Sequence, residues 1–259
     1  MKSISYENHF VAFVDILGYA NLIDSVSDKE AITLIQKLDS LIKKSIDELK
    51  SLNKWNENSF QINLFSDCFC ISILKSRRNF DPFMQLIPRI QKNFHQEGIL
   101  LRGSLAIGKH YSNDRLIFSK ALVEAYRNES SKAIYPRILI PRYFIKYVNE
   151  ECDYDEQIWL RETYSWEDKT DRQIFIDYIN FMPYDRTDEP NHNGKDLIIH
   201  KNYILEMLTK HRDNSKIFLK FEWLANYHNS WCLHFYPKNK KLKIDYEINE
   251  IRMGPLFHK

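Results

Sequence analysis

Two isolated carboxylates mark the part of this chain best equipped for chemistry. Asp15 ends the apolar run Phe10-Val-Ala-Phe-Val-Asp15 and precedes a glycine turn at Gly18. Asp67 interrupts a second apolar run, Phe65-Ser-Asp67-Cys-Phe69. Two acids brought close at strand ends repel unless a proton or a cation lies between them. Magnesium or manganese suits such an oxygen site, because either takes few protein carboxylates and leaves room for phosphate oxygens. The same residues fit a plainer reading, with Asp15 capping the next helix and Asp67 in a turn. Arg102 sits in an otherwise small and apolar stretch, where arginine is rarely left unpaired. It can reach an anionic ligand or an internal carboxylate. Arg127 and Glu129 stand near a helix end, where an arginine commonly answers the helix dipole.

Other chemical signatures are missing from the sequence. The nine histidines form no HxH, HExxH or HD pair. His192, His200, His211, His228 and His234 gather in the C-terminal part and read as surface or structural residues. No GxGxxG, P-loop or GxSxG string occurs. Of the four cysteines, Cys68 and Cys70 share one strand face, and no CxxC pair exists, so neither a zinc site nor a disulfide framework is indicated. The net charge is +2 with both signs mixed, which gives no broad electrostatic case for nucleic acid. Met1 to His9 lacks the apolar segment of a signal peptide. No apolar run approaches the roughly 18 residues of a membrane span. The expectation is a soluble, reduced, cytoplasmic protein with no nucleic-acid or membrane partner.

The elements that must position these residues follow from periodicity. Residues 9–16 form a buried strand, and Ser27-Asp-Lys-Glu30 is a capping-box pattern opening a helix. Its apolar positions are Ile32, Ile35, Leu38, Ile42, Ile46 and Leu49. Residues 50–58 are a polar connection. Phe60 to Leu74 reads as a hairpin with Ser66-Asp67 near its tip. Asp81-Pro82 predicts a helix start, Pro88 a kink, and Gly98 the helix end. Ile99 to Tyr111 is a strand, Ser119 to Ser130 a helix, and Arg137 to Ile140 a strand. The first six elements have the βαββαβ order of a ferredoxin-like unit, an α+β fold. We expect its first two strands to lie side by side, so that Asp15 faces the hairpin tip. Further on, Ile174 to Ile179 predicts a strand, Tyr184 to Gly194 a loop, Asp196–His211 and Ser215–His228 two helices, and Leu233–Tyr246 a final hairpin.

Together these pieces resemble the class III nucleotidyl cyclases, the adenylate and guanylate cyclase family. Phe13-Val-Asp15-Ile-Leu-Gly18-Tyr19 looks like the family's first metal motif, and Phe65-Ser66-Asp67 resembles the second, with Ser66 replacing a glycine. Leu101-Arg102-Gly-Ser-Leu-Ala-Ile-Gly108 resembles the strand whose arginine holds the triphosphate. Leu122 to Glu129 resembles the helix whose arginine, here Arg127, stabilises the transition state from a partner subunit. The departures bear on the base. The ribose-orienting asparagine is Val123, the adenine-reading lysine is Asn63, and its partner acid is Leu116. Lys120-Ala-Leu-Val-Glu-Ala-Tyr126 and Trp223-Leu-Ala-Asn-Tyr-His-Asn229 are similar to the bacterial pyrimidine cyclases of the Pycsar antiphage system.

The resemblance implies a cyclase core over residues 1–145, with an antiparallel sheet and helices on one face. Residues 146–259 would form an α/β extension packing on that core or on a dimer. It implies synthesis of cyclic UMP from UTP, with cyclic CMP from CTP, a purine cyclase or a non-catalytic nucleotide-binding regulator as the alternatives. The product would act on a separate cyclic-nucleotide-activated effector. Two manganese or magnesium ions would be held by Asp15, Asp67 and the carbonyl of Ile16. Leu17, Gly18 and Tyr19 would offer amides to phosphates, Arg102 would hold the triphosphate, and Asn63 would stand near the base. A homodimer with its site at the interface is implied, Arg127 coming from the second chain.

Overall fold

Strand β1 (Glu7–Ile16) is covered on both faces, which explains why its sequence is a near-continuous apolar run rather than an alternating one. The computed structural model describes residues 5–52, 60–182 and 194–256. After β1 come α1 (Tyr19–Asp24), α2 (Asp28–Leu52), a hairpin of β2 (Phe60–Phe65) and β3 (Cys68–Leu74), α3 (Arg77–Gln96) and β4 (Leu101–Ser112). The sheet order is β2-β3-β1-β4 with every neighbour antiparallel. This is the βαββαβ unit expected from the sequence, with one correction. β3, and not β2, lies beside β1. The hairpin tip still meets the end of β1, because β3 starts there: Asp15 stands opposite Cys68 on one side and Arg102 on the other.

The two faces of β1 have different tasks. Phe10, Ala12, Val14 and Ile16 pack with Leu38, Leu41 and Leu49 of α2 and with Phe80, Phe83 and Ile87 of α3. Both helices of the unit thus lie on one face. Val11 and Phe13 point the other way, against Ala121 and Ala125 of a later helix, α4 (Lys120–Lys132). Asp15 shares that second face. Ser119 caps α4 by accepting the Leu122 amide at 2.9 Å.

Three local expectations change. Ile32 and Ile35 of α2 are 59% and 65% exposed, and Leu41 takes the buried place on that helix. Helix α3 starts at Arg77 after Ser76, so Asp81 caps nothing and Pro82 and Pro88 both lie inside the helix. The Asp81 carboxylate instead accepts Gln85 Nε2 and the Tyr164 hydroxyl. The capping box at Ser27 forms by half: Glu30 accepts the Ser27 amide at 2.8 Å and also its hydroxyl.

The sheet continues past the first unit. β5 (Ile117–Ser119) pairs with the far end of β4, and β6 (Ile138–Leu139) runs parallel to β4. Then come α5 (Arg142–Glu151), α6 (Tyr154–Trp159), β7 (Ser165–Asp168), β8 (Ile174–Ile176), α7 (Gly194–Lys210), α8 (Ser215–Phe235) and β9 (Met253–Pro255). They extend one sheet in the order β4-β6-β8-β7-β9. β7 escapes sequence reading because it is Ser-Trp-Glu-Asp, polar yet buried. Its acids are paired: Glu167 with Lys169 at 2.6 Å, and Asp168 with the buried Arg137 at 3.1 Å and with Trp223 Nε1 at 2.9 Å. The expected hairpin at 233–246 is replaced by helix and turn. α8 runs to Phe235, and residues 240–242 form a 3₁₀ turn. Most of the expected connections at 50–58 and 184–194, and His192, lie outside the described residues.

A second core joins these later elements. Trp166, Phe175, Tyr178, Trp223, Tyr227 and Trp231 fill it, with Leu100 from the first unit and Leu139 from β6. Three buried histidines bridge α3, α7 and α8. His200 Nδ1 and His228 Nδ1 lie 2.9 Å apart, so one donates and the other accepts. His200 Nε2 lies 2.9 Å from the Tyr178 hydroxyl, and His228 Nε2 donates to the Leu242 carbonyl at 2.8 Å. The His95 ring lies tilted against His200 with centroids 4.3 Å apart. Burial pushes His95 down to about 3 and His228 down to about 4, and His200 well below its usual value.

These neutral histidines set a pH dependence. The unfolded chain protonates them near pH 6.5 while the native state does not, so stability is full above that value and is lost as pH falls toward about 4. The buried Asp177, pushed up to about 7 by burial, works in the opposite sense. Urea midpoints measured from pH 7.5 to 5 should therefore fall less steeply in His228→Gln than in the parent chain. Equal slopes would rule out His228 as a source of acid lability.

Candidate active site

The β1 register assembles a charged cluster at one end of the sheet. Asp15 is flanked across the strands by Cys68 and Arg102. The Ile16 amide donates to the Asp67 carbonyl at 2.9 Å, which ties the hairpin tip to the end of β1. Gly103 makes the β4 approach possible: a Cβ there would lie 2.3 Å from the Phe13 carbonyl oxygen. At the tip, Ser66 has φ of 56°, the left-handed region that glycine tolerates best. The turn needs that conformation to reverse the chain within the two residues between Phe65 and Cys68.

Asp15, Asp67 and Cys68 present ligand atoms that all lie within 4.8 Å of one another. The Cys68 thiol donates to Asp67 Oδ1 at 3.3 Å and to Asp15 Oδ1 at 3.6 Å. Burial, then the two carboxylates beside it, pushes this thiol up and keeps it protonated. Two carboxylates converging from a strand end and a hairpin turn fit a hard divalent cation such as magnesium or manganese, and the sulfur adds a softer donor. Among the described residues this is the one grouping of three such side chains.

Arg102 closes the cluster from β4. Its Nε donates to Asp15 Oδ2 at 2.7 Å and also lies 2.7 Å from Glu129 Oε1. Of the two roles open to it in the sequence, the structure shows the internal ion pair. Glu129 belongs to the buried stripe Ala121, Ala125, Glu129 of α4. Burial pushes its carboxyl up, Arg102 pulls it down, and the Asp15 and Asp67 charges push it up again. Such a carboxylate is costly to bury without its cation, so Arg102 serves two acids at once.

The remaining expected residues divide. Gly18 has φ of 77° and begins α1, with Tyr19 as the first helical residue. Leu17 departs from expectation: its amide is committed to the Leu100 carbonyl at 2.9 Å and its side chain packs on the second core, so it has no donor to offer a phosphate. Asn63 stands opposite Cys70, on the sheet face that carries Asp15, and its Oδ1 is buried without a hydrogen-bond partner. Arg127 is not brought to the acids. It is exposed on α4, outside the buried stripe, and makes no ion pair among the described residues. It lines a groove of about 800 Å³ with Phe118, Val123 and Asn128. Sequence reasoning overlooked Cys68 and Glu129 as members of the cluster. Their signals were the two-residue alternation from Cys70 and the four-residue spacing from Ala121 and Ala125.

No protein family's sequence profile matches this chain, and no curated protein matches it. Solved structures do. A bacterial light-regulated adenylyl cyclase matches at 11% identity over 67% of this chain and 92% of its own, with a TM-score of 0.45. An adenylyl cyclase from P. aeruginosa matches at 14% identity over 67% and 94%, TM-score 0.42. An adenylate/guanylate cyclase/hydrolase from Silicibacter pomeroyi matches at 17% identity over 67% and 96%, TM-score 0.43.

The hairpin tip carries a measurable strain. A non-glycine residue in the left-handed region costs roughly 1–2 kcal/mol, and glycine gives back roughly 0.5–1 kcal/mol through unfolded-state freedom. Ser66→Gly should therefore raise the stability of the protein by about 0.5–1 kcal/mol in chemical denaturation. A lower midpoint would show that the Ser66 side chain does more than tolerate its turn.

Proposed function

We propose that this chain is a nucleotidyl cyclase that converts UTP to 3′,5′-cyclic UMP and pyrophosphate, with CTP as the alternative substrate. The observation that carries the reading is the convergence of Asp15 and Asp67, from β1 and the β2–β3 tip, beside Arg102. In this reading the ribose 3′-hydroxyl attacks the α-phosphorus as pyrophosphate leaves. Asp15 and Asp67 would hold two divalent cations, with the Ile16 carbonyl beside them. Bound there, these cations supply activation of the hydroxyl and neutralisation of phosphate charge. Gly18 and Tyr19 lie at the turn next to the acids, placed to orient terminal phosphates. Arg102 would move from Asp15 to the triphosphate once Asp15 has a cation for company.

The pyrimidine choice draws on what stands where the resemblance would put purine contacts. Asn63 offers one free buried oxygen on the site face, in place of a lysine. Leu116 replaces an acid and is 54% exposed. Following the Pycsar likeness, cyclic UMP would serve as an antiphage second messenger read by a separate effector protein. A non-catalytic nucleotide-binding regulator is the second reading. It is favoured by one observation, that Arg102 Nε lies 2.7 Å from Asp15 Oδ2 and is thereby paired within the protein.

The site is completed, in this proposal, by a second copy of the chain. Arg127 lies away from its own Asp15 and beside exposed apolar residues, with Phe118 at 62% exposure. Such a patch marks an interaction surface. A head-to-tail homodimer would bring Arg127 of one protomer to the phosphates held by its partner.

Two experiments test this. Incubation with each nucleoside triphosphate and manganese, with products identified by mass, should yield cyclic UMP or cyclic CMP. Cyclic AMP alone would sink the pyrimidine assignment, and no product with any triphosphate would favour the regulator. Separately, Arg127→Ala should cost roughly 10²–10³ in rate, as for loss of a transition-state donor. Mixing it with inactive Asp67→Ala should restore activity through heterodimers with one working site. No recovery, with subunit exchange confirmed, would refute Arg127 acting across the interface.

A further inference from the structure

The cluster of Asp15, Asp67, Arg102 and Glu129 has a neighbour from the C-terminal half of the chain. Lys220 lies in α8, one residue before Phe221. Phe221, Trp223 and Leu224 are buried in the second core with Leu100, and Leu17 packs on the same core. The Trp223 ring centroid lies 5.6 Å from the Arg137 guanidinium carbon, and the Arg137 carbonyl accepts the Gly103 amide at 3.1 Å. The helix is thus anchored against the strand ends that carry Asp15 and Arg102. Lys220 is half-buried within electrostatic reach of both side chains, and it makes no ion pair among the described residues.

This placement is unfavourable for the protein by itself. Burial lowers the Lys220 amine, the Arg102 charge lowers it further, and the Asp15 charge opposes them. A lysine half removed from water beside an arginine loses solvation and gains repulsion. Cations bound at Asp15 and Asp67 would offset the acids and leave Lys220 beside Arg102 with no counter-charge of its own. A ligand carrying several negative charges reverses the balance. Lysine suits that task as a mobile point charge on a flexible stem, beside an Arg102 whose Nε already lies against two carboxylates.

We propose that Lys220 binds the polyphosphate of the nucleoside triphosphate, so that the C-terminal helix α8 contributes directly to the substrate site. The inference rests on the triphosphate reading given above. It assigns residues 146–259 a part in binding as well as in packing.

The test is calorimetric titration of the full-length protein with inorganic tripolyphosphate in the presence of manganese. Lys220→Gln should weaken binding roughly 10–100-fold, the loss of one charge-assisted contact, and Lys220→Arg should recover most of it. The ligand-free melting temperature of Lys220→Gln should equal or exceed the parent's, and that of Lys220→Arg should match it. Unchanged binding in Lys220→Gln overturns the proposal and leaves the triphosphate site intact. Equal losses in both variants, with lowered melting temperatures, make Lys220 a packing residue and overturn it as well. Absence of binding by the parent chain to tripolyphosphate and to every nucleoside triphosphate removes the triphosphate site itself, and this inference with it.

Discussion

The register of β1 between β3 and β4 is the constraint on which the rest depends. A strand buried on both faces and paired on both edges has no freedom to slip, because a one-residue shift would send Phe10, Val14 and Ile16 to the wrong side. That same register places Asp15 between Cys68 and Arg102. Gly103 allows the close β1–β4 approach, and the Ile16–Asp67 backbone bond fastens the hairpin tip. The charged cluster is therefore a consequence of apolar packing elsewhere on the strand. Its geometry is as rigid as the sheet.

Within that frame, charge sets the chemistry. Of three carboxylates, from β1, the hairpin tip and α4, the first and the last share one guanidinium at 2.7 Å. An arrangement with more acid than base at the end of a low-dielectric sheet favours uptake of cations. Burial raises both the Glu129 carboxyl and the Cys68 thiol, and the neighbouring Asp15 and Asp67 charges push each further in the same direction. Arg102 holds Asp15 and Glu129 together across the two elements that carry them.

The C-terminal half is joined to this frame by a second set of polar contacts buried in apolar surroundings. Arg137 meets Asp168 and the Tyr135 and Trp223 rings. Glu222, Asn226 and Asn229, spaced along one side of α8, bind the backbone of residues 244–251 as a neighbouring strand would. These contacts explain why irregular chain after α8 stays packed. They also hold α8 against the end of the sheet that carries the acids. No helix among the described residues is long and apolar enough to cross a membrane.

Much of the first unit was legible in the sequence. The apolar run to Asp15, the hairpin around Ser66-Asp67 and the Ser119-capped helix are local patterns, written in residues a few positions apart. The βαββαβ order followed from them. Asp15, Asp67 and Arg102 stood out as charges where apolar residues were due. What escaped was non-local or compensated. β7 reads as polar because its acids find partners far along the chain. α3 begins before its proline pair because its apolar face, and not its cap, sets its length. The Leu17 amide was lost to Leu100, and Glu129 was brought to Arg102, through contacts between segments far apart in sequence. Local spacing determined which residues could do chemistry. Only the tertiary structure decided which of them meet, because strand register and helix docking are chosen by the packing of the whole core.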